Sequence, residues 1–204
     1  MNATALAARN TARPASRSID GDRGYPRVML HNGERRRLIA THDLSGYRRP
    51  VIEGNRPLAW RMAWYLVNAL IFESSLLGLL PSSLKARILR LFGARVGTGL
   101  VIKPRVTIKY PWFLDVGDHV WIGEMSWIDN HCAVEIGSHV CISQGARLFT
   151  GNHDWNDTCF SFFCQPVRVG AGSWIGAFSI LPPGTDIPPG TVIGCGCTMI
   201  QSTK

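Results

Sequence analysis

From residue 96 onward the chain repeats an aliphatic residue every six positions. Val116, Ile122, Ile128 and Val134 lie six apart, as do Ile136, Ile142 and Leu148, and then Val169, Ile175, Leu181, Ile187, Ile193 and Met199. Seven times a β-branched aliphatic residue is followed at once by glycine: Val96, Val116, Ile122, Ile136, Val169, Ile175 and Ile193. A period of six fits neither an amphipathic helix nor a half-buried strand. It is the repeat of a parallel β-helix, in which each hexapeptide makes one flat side and a corner and three of them close a coil of about 18 residues. The aliphatic residues are expected to point inward. The glycines are expected at the corners, in backbone of positive φ. Four residues after each aliphatic a second, small inward position is expected: Ser126, Ala146, Ser173, Ser179, Thr185, Thr191 and Cys197. The stretch from Val96 onward has room for about five to six coils.

The rest of the chain is of another kind. Residues 1–61 hold twelve arginines against five acids, a net charge of +7, and residues 62–204 carry only +1. Residues 1–53 have no sustained apolar periodicity and read as a disordered Arg-rich tail, because such a composition buries too little apolar surface to offset its ordering entropy. A basic arm suits solvent or an anionic membrane surface. No aromatic and basic interleaving points to nucleic acid, so none is expected as a partner. The first thirty residues have no apolar segment of a secretory signal, and a cytoplasmic location is expected. The six cysteines (132, 141, 159, 164, 195 and 197) form no C-x-x-C pair and are expected to be reduced, small and buried. No metal is expected.

Residues 54–93 read as helical. Asn55 suits an N-cap, Pro57 the first turn, and Trp60, Trp64, Val67 and Ile71 follow helical spacing. The uncharged run Met62–Phe72 is far short of the roughly 20 residues that span a bilayer. A second helix is expected from Ser82–Ser83 to about Phe92, stopped by Gly93, with Leu84, Ile88 and Leu91 on one face. Such a segment can cap the open first coil of a solenoid or lie in a membrane interface.

Residues 94–204 form the solenoid, and two breaks interrupt its rhythm. One is the corner Lys109-Tyr110-Pro111-Trp112. The other is residues 150–166, TGNHDWNDTCFSFFCQP. Insertions in a repeat protein map to loops on one face, often the binding face. This loop carries Asn152-His153-Asp154-Trp155. His119 and His139 occupy equivalent outward positions, whereas His131 follows Asp129-Asn130 where a hexad breaks.

Hexads of this form around a His-bearing loop resemble the left-handed β-helix acyltransferases, and locally the colanic-acid-biosynthesis type of O-acetyltransferase. The similarity lies in KPRVTIKYPW (103–112), VGDHVWIG (116–123), ISQGARLFTGNHDW (142–155) and the Trp-rich helix followed by LRLFGARVG (89–97). The resemblance implies a left-handed coil and a homotrimer with active sites between neighbouring prisms. It implies transfer of an acetyl group from acetyl-CoA to a hydroxyl of a sugar or glycan precursor in surface polysaccharide biosynthesis. His153 then matches the catalytic histidine, a residue type whose intrinsic pKa of about 6.5 suits a general base. By the same resemblance Asn130 lies near the acceptor, a backbone N–H near Ala177 stabilises the oxyanion, Trp174 stands beside the groove, and Cys195 packs along the pantetheine. Asp154 orients His153 or contacts the sugar, with Asp129 and Asp157 as rival orienters. By the resemblance, relatives continue past this point with a Lys-Asp-(Leu/Ile)-Pro-Pro segment and a Gly-Asn-Pro-Ala tail, whereas this sequence stops at Gln201-Ser202-Thr203-Lys204, so the expectation is either a truncated product or an incomplete CoA site. The competing readings are a non-catalytic scaffold and a zinc hydratase on the same fold. The second needs an H-x4-H pair that the histidine spacing lacks.

Overall fold

The computed structural model describes residues 28–29, 35–36, 43–154 and 157–199. The chain divides into two compact units, residues 1–47 with 155–160, and residues 48–154 with 161–204. In the first, β1 (Val28–Met29) pairs antiparallel with β2 (Arg35–Arg36). A short 3-10 turn, Leu44–Gly46, follows Asp43, whose carboxylate accepts from the Ser45 N–H and hydroxyl. Most of the tail expected to be disordered lies outside the described residues.

The second unit is a parallel solenoid of five coils. The first coil holds β3 (Arg95–Val96), β4 (Val101–Ile102) and β5 (Thr107–Ile108); the second β6 (Leu114–Val116), β7 (Trp121–Ile122) and β8 (Trp127–Asp129). The third holds β9 (Val134–Ile136), β10 (Cys141–Ile142) and β11 (Arg147–Phe149). A hairpin of β12 (Gly151–His153) and β13 (Phe162–Cys164) follows. The fourth coil holds β14 (Val167–Val169), β15 (Trp174–Ile175) and β16 (Ile180–Leu181), and the fifth β17 (Asp186–Ile187) and β18 (Val192–Ile193). Three parallel sheets result: β3-β6-β9-β14-β17 is face one, β4-β7-β10-β15-β18 face two and β5-β8-β11-β16 face three.

The register explains the six-residue period. On face one, Val96, Val116, Ile136, Val169 and Ile187 stack in one ladder. Ile102, Ile122, Ile142, Ile175 and Ile193 do so on face two, and Ile108, Ile128, Leu148 and Leu181 on face three. All but Val96 are buried and form the core. The small inward positions hold from Ser126 to Thr185. Their hydroxyls are satisfied by main-chain carbonyls of the coil, as where Ser179 Oγ donates to Gly194 O at 2.8 Å. Cys197, on the last coil, is exposed instead.

The glycines serve a different purpose from the one expected. Within the coils the residues with positive φ lie three positions after the inward aliphatic: Gly99, Arg105, His119, Met125, His139, Gly145, Gly172, Phe178, Gly184, Gly190 and Gly196. None of the seven glycines next to the aliphatics is among them. Six of the seven, all but Gly194, are required by the stacking of coils. A Cβ on Gly123 would lie 2.4 Å from Gln144 N, and one on Gly170 2.4 Å from Pro189 N. Strands only about 4.8 Å apart leave no room for it.

The helical segment covers the first coil. α1 (Leu58–Val67) is preceded by Pro57 and has no side-chain N-cap. Asn55 Oδ1 accepts from Arg56 N instead, so the N-cap expected at Asn55 is not made. The helix widens into a π turn, Asn68–Phe72. Trp64 is 0% exposed and its Nε1–H donates to Ile108 O at 2.8 Å. Asn68 Oδ1 accepts from Ile108 N, and Val106 N donates to Phe72 O. Main-chain groups of the first coil that have no preceding strand to pair with are thereby satisfied. α2 (Ser82–Leu91) starts and stops as expected but presents another face. Lys85, Ala86 and Leu89 are buried, while Leu84 and Leu91 are exposed. The reason is polar: Lys85 Nζ donates to the Gly78 and Ile102 carbonyls. Burial, then the charge of Lys103, lowers the pKa of that ammonium. Among the described residues no helix is long and apolar enough to cross a membrane.

Candidate active site

The break at 150–166 is a hairpin anchored on the solenoid. In its register Gly151 faces Cys164, Asn152 faces Phe163 and His153 faces Phe162. Gln165 N donates to Thr150 O, and Asp154 N to Ser161 O. Thr150 is fully buried at the root. Its Oγ1 accepts from His131 N at 2.7 Å and Cys132 N at 3.2 Å and lies 3.3 Å from Asp129 O. These bonds tie the corner 129–132 to the root of the hairpin. Gly151 is needed there, because a Cβ would lie 2.7 Å from the Phe162 ring.

His153 is half-buried. Its N–H donates to Asn152 Oδ1, and its ring stands edge-on to Phe162 at 5.4 Å between centroids. His131 meets the same Phe162 ring at 4.8 Å and Tyr110 edge-on at 5.8 Å. Two imidazoles thus share one aromatic neighbour. Burial, then the charge of Lys109, holds the pKa of His131 below the ordinary histidine value, while Asp129 opposes the shift. Asp129 Oδ1 lies 2.9 Å from Lys109 Nζ and 3.7 Å from His131 Nε2. Lys109 is thus the nearer cationic group to that carboxylate. The buried Nδ1 of His131 has no hydrogen-bond partner. The thiols of Cys132 and Cys164 meet at the hairpin root; burial, followed by that hydrogen bond, pushes the Cys132 thiol up to about 11. A groove of about 490 Å³ runs between residues 50–54 and His131, Cys132 and Phe162–Cys164.

No protein-family model matches the chain. A protein of Escherichia coli (strain K12) named a colanic acid biosynthesis acetyltransferase, WcaF, is 35% identical over 164 residues, covering 78% of this chain and 87% of that one. The chain belongs to the colanic acid biosynthesis acetyltransferase family. It is an acyltransferase. Two solved structures share the fold. A galactoside acetyltransferase in complex with coenzyme A has a TM-score of 0.60 at 20% identity, over 68% of this chain and 69% of that one. A maltose O-acetyltransferase from Clostridium difficile 630 has a TM-score of 0.59 at 19% identity, over 72% and 79%.

The residues expected at the site of this acetyltransferase are not all brought together within one chain. His153 and Asp154 lie on the hairpin, which leaves the prism between faces three and one. Trp174 stands on face two, half exposed, with Nε1–H donating to Ser143 Oγ at 2.8 Å. Ala177 lies at the following corner, where its carbonyl accepts from Gly196 N. Cys195 is exposed one coil further on. Asn130 is held inside the prism. It is 0% exposed, its Nδ2 donates to Tyr110 O at 2.7 Å and its Oδ1 accepts from Tyr110 N at 3.0 Å. Its amide bonds the neighbouring coil and offers no surface to an acceptor. The cysteines differ from expectation: Cys159, Cys164, Cys195 and Cys197 are exposed, and Cys132 and Cys141 only partly buried. His119 and His139 are outward, as expected, and their rings stack at 5.3 Å. Trp155 lies outside the described residues. Among the described residues no group of three or more His, Cys, Asp and Glu is placed to hold a metal ion.

Thr150, Phe162 and the Cys132–Cys164 pair were not singled out from the sequence. The available signal was Thr150-Gly151-Asn152 directly before the histidine, with Phe162-Phe163 near the end of the insertion.

Proposed function

We propose that this acetyltransferase moves an acetyl group from acetyl-CoA to a hydroxyl of a sugar or glycan precursor in surface polysaccharide assembly. The observation that carries this reading is the position of His153, on a hairpin rooted in the buried Thr150, in a chain that aligns with WcaF over most of both lengths. His153 acts as general base. It removes the proton of the acceptor hydroxyl as that oxygen attacks the thioester carbonyl, a contribution of about 10²–10⁴-fold. The Ala177 N–H stabilises the resulting oxyanion, for about 10²–10³-fold. The carbon–sulfur bond then breaks, and the imidazolium returns its proton to the departing thiolate.

The proposed supporting roles follow from position. Asp154 contacts His153 or the sugar, Trp174 walls the groove, and Cys195 lies along the pantetheine. Asn130 is a positioning residue that fixes the corner leading to His131. The working form is a homotrimer: His153 and Trp174 stand on different parts of one prism, and a site using both draws on two neighbouring chains. The enzyme touches an anionic membrane peripherally, from the cytoplasmic side.

Thiol release from acetyl-CoA tests the reading. The purified protein is expected to release CoA only when a saccharide hydroxyl acceptor is present, with the acetyl group recovered on the sugar. No acceptor-dependent release across a panel of free, nucleotide-linked and lipid-linked saccharides would contradict it.

A further inference from the structure

α1 and the π turn that continues it have two opposite sides, one buried and one exposed and apolar. One side holds Trp64, Asn68 and Phe72 and is buried on the first coil. The other holds Leu58, Met62, Leu66 and Leu70, four apart and thus aligned on one face. They are 63, 56, 62 and 52% exposed. No charge interrupts the helix between Met62 and Phe72. The turn that follows adds Leu76, Leu77 and Leu79, also exposed. α2 leaves Leu84 and Leu91 outside because Lys85 occupies its inner face. Leu91 lines a hollow with Arg56, Pro57 and Trp60, which links α2 to the start of α1. A helix apolar on every side is ordinarily covered on every side, and an exposed apolar face of this kind marks an interaction surface.

The charge around the stripe selects the occupant. From Arg48 to Arg105 there are ten basic residues and two acids, Glu53 and Glu73, a net charge of +8. From residue 106 to the end there are four basic and eight acidic residues, a net charge of −4. Arg48, Arg49, Arg56 and Arg87 are exposed. A second copy meeting this face with its own would bring like charge to like charge. A nucleic acid has no use for a row of leucines. We infer that the Leu58–Met62–Leu66–Leu70 face of α1 is inserted in the headgroup region of an anionic lipid surface, with the surrounding arginines on lipid phosphates. The helix then lies flat in the interface and serves as cap and anchor together. This lipid face deepens the peripheral contact proposed above and does not rest on acetyl transfer, so an inactive enzyme that still binds vesicles leaves it standing.

Cosedimentation with vesicles tests it, using the full chain. The wild type is expected to pellet with phosphatidylglycerol/phosphatidylcholine vesicles at low salt and to be released as salt rises. Binding to phosphatidylcholine alone should be at least about tenfold weaker. Met62→Glu/Leu66→Glu should lower binding to the anionic vesicles by about tenfold or more, because it places two charges where two apolar side chains insert. Both positions are exposed, so the thermal midpoint and the subunit count by light scattering should not change. A wild type that does not bind, or a double variant that binds equally well, would overturn the inference. A double variant that binds vesicles normally but loses subunits would assign the stripe to a second copy instead.

Discussion

His153→Ala is expected to lower kcat for acetyl transfer by at least about two orders of magnitude while fold and subunit count stay unchanged. The size follows from the chemistry. A sugar hydroxyl is a poor nucleophile at neutral pH, and without an imidazole its proton must pass to solvent. The fold should tolerate the change. His153 is half-buried on the hairpin, outside the aliphatic ladders, and the hairpin root is held by Thr150 and by main-chain bonds. KM for acetyl-CoA should move little, since a base acting on the acceptor proton contributes mainly in the transition state. Near-normal turnover would remove His153 from the mechanism. A loss confined to KM would make it a binding residue.

Trp64→Ala is expected to produce the largest loss of stability, about 3–5 kcal/mol in denaturant unfolding. Trp64 is wholly buried and packs on Phe72 at 5.4 Å and Phe92 at 5.1 Å between ring centroids. Its Nε1–H bonds the Ile108 carbonyl at the open end of the solenoid. Alanine removes the ring contacts and leaves that carbonyl without its donor. Trp64→Phe separates the two effects. It keeps an aromatic ring but lacks the N–H, and should cost less, about 1–3 kcal/mol. A Trp64→Ala protein within about 1 kcal/mol of wild type would show that α1 does not hold the first coil.

The solenoid was legible because its period is local. Each coil repeats the same in–out pattern, so the aliphatic ladders can be read by counting sixes. What the counting cannot supply is the neighbour one coil away. Gly123 looks like a corner glycine in sequence, yet its constraint comes from Gln144 on the next coil. Lys85 looks like a solvent residue of α2, yet the carbonyls of Gly78 and Ile102 draw it inside and turn Leu84 and Leu91 outward. Asn130 looks like a polar residue at a broken corner, and only the coil pairing reveals that Tyr110 uses both ends of its amide. The site follows the same division. His153 was proposed from a contiguous motif. Thr150, His131 and Phe162 converge through register and hairpin pairing, which no short run of residues announces.

A crystal structure of the assembled protein with CoA and a saccharide acceptor tests the central claim most directly. The account predicts a His153 ring nitrogen within about 2.6–3.2 Å of an acceptor oxygen, with the CoA sulfur on the far side of that oxygen. A fully occupied complex in which the His153 ring lies remote from both sulfur and sugar would contradict it, leaving the coils and their ladders as architecture alone.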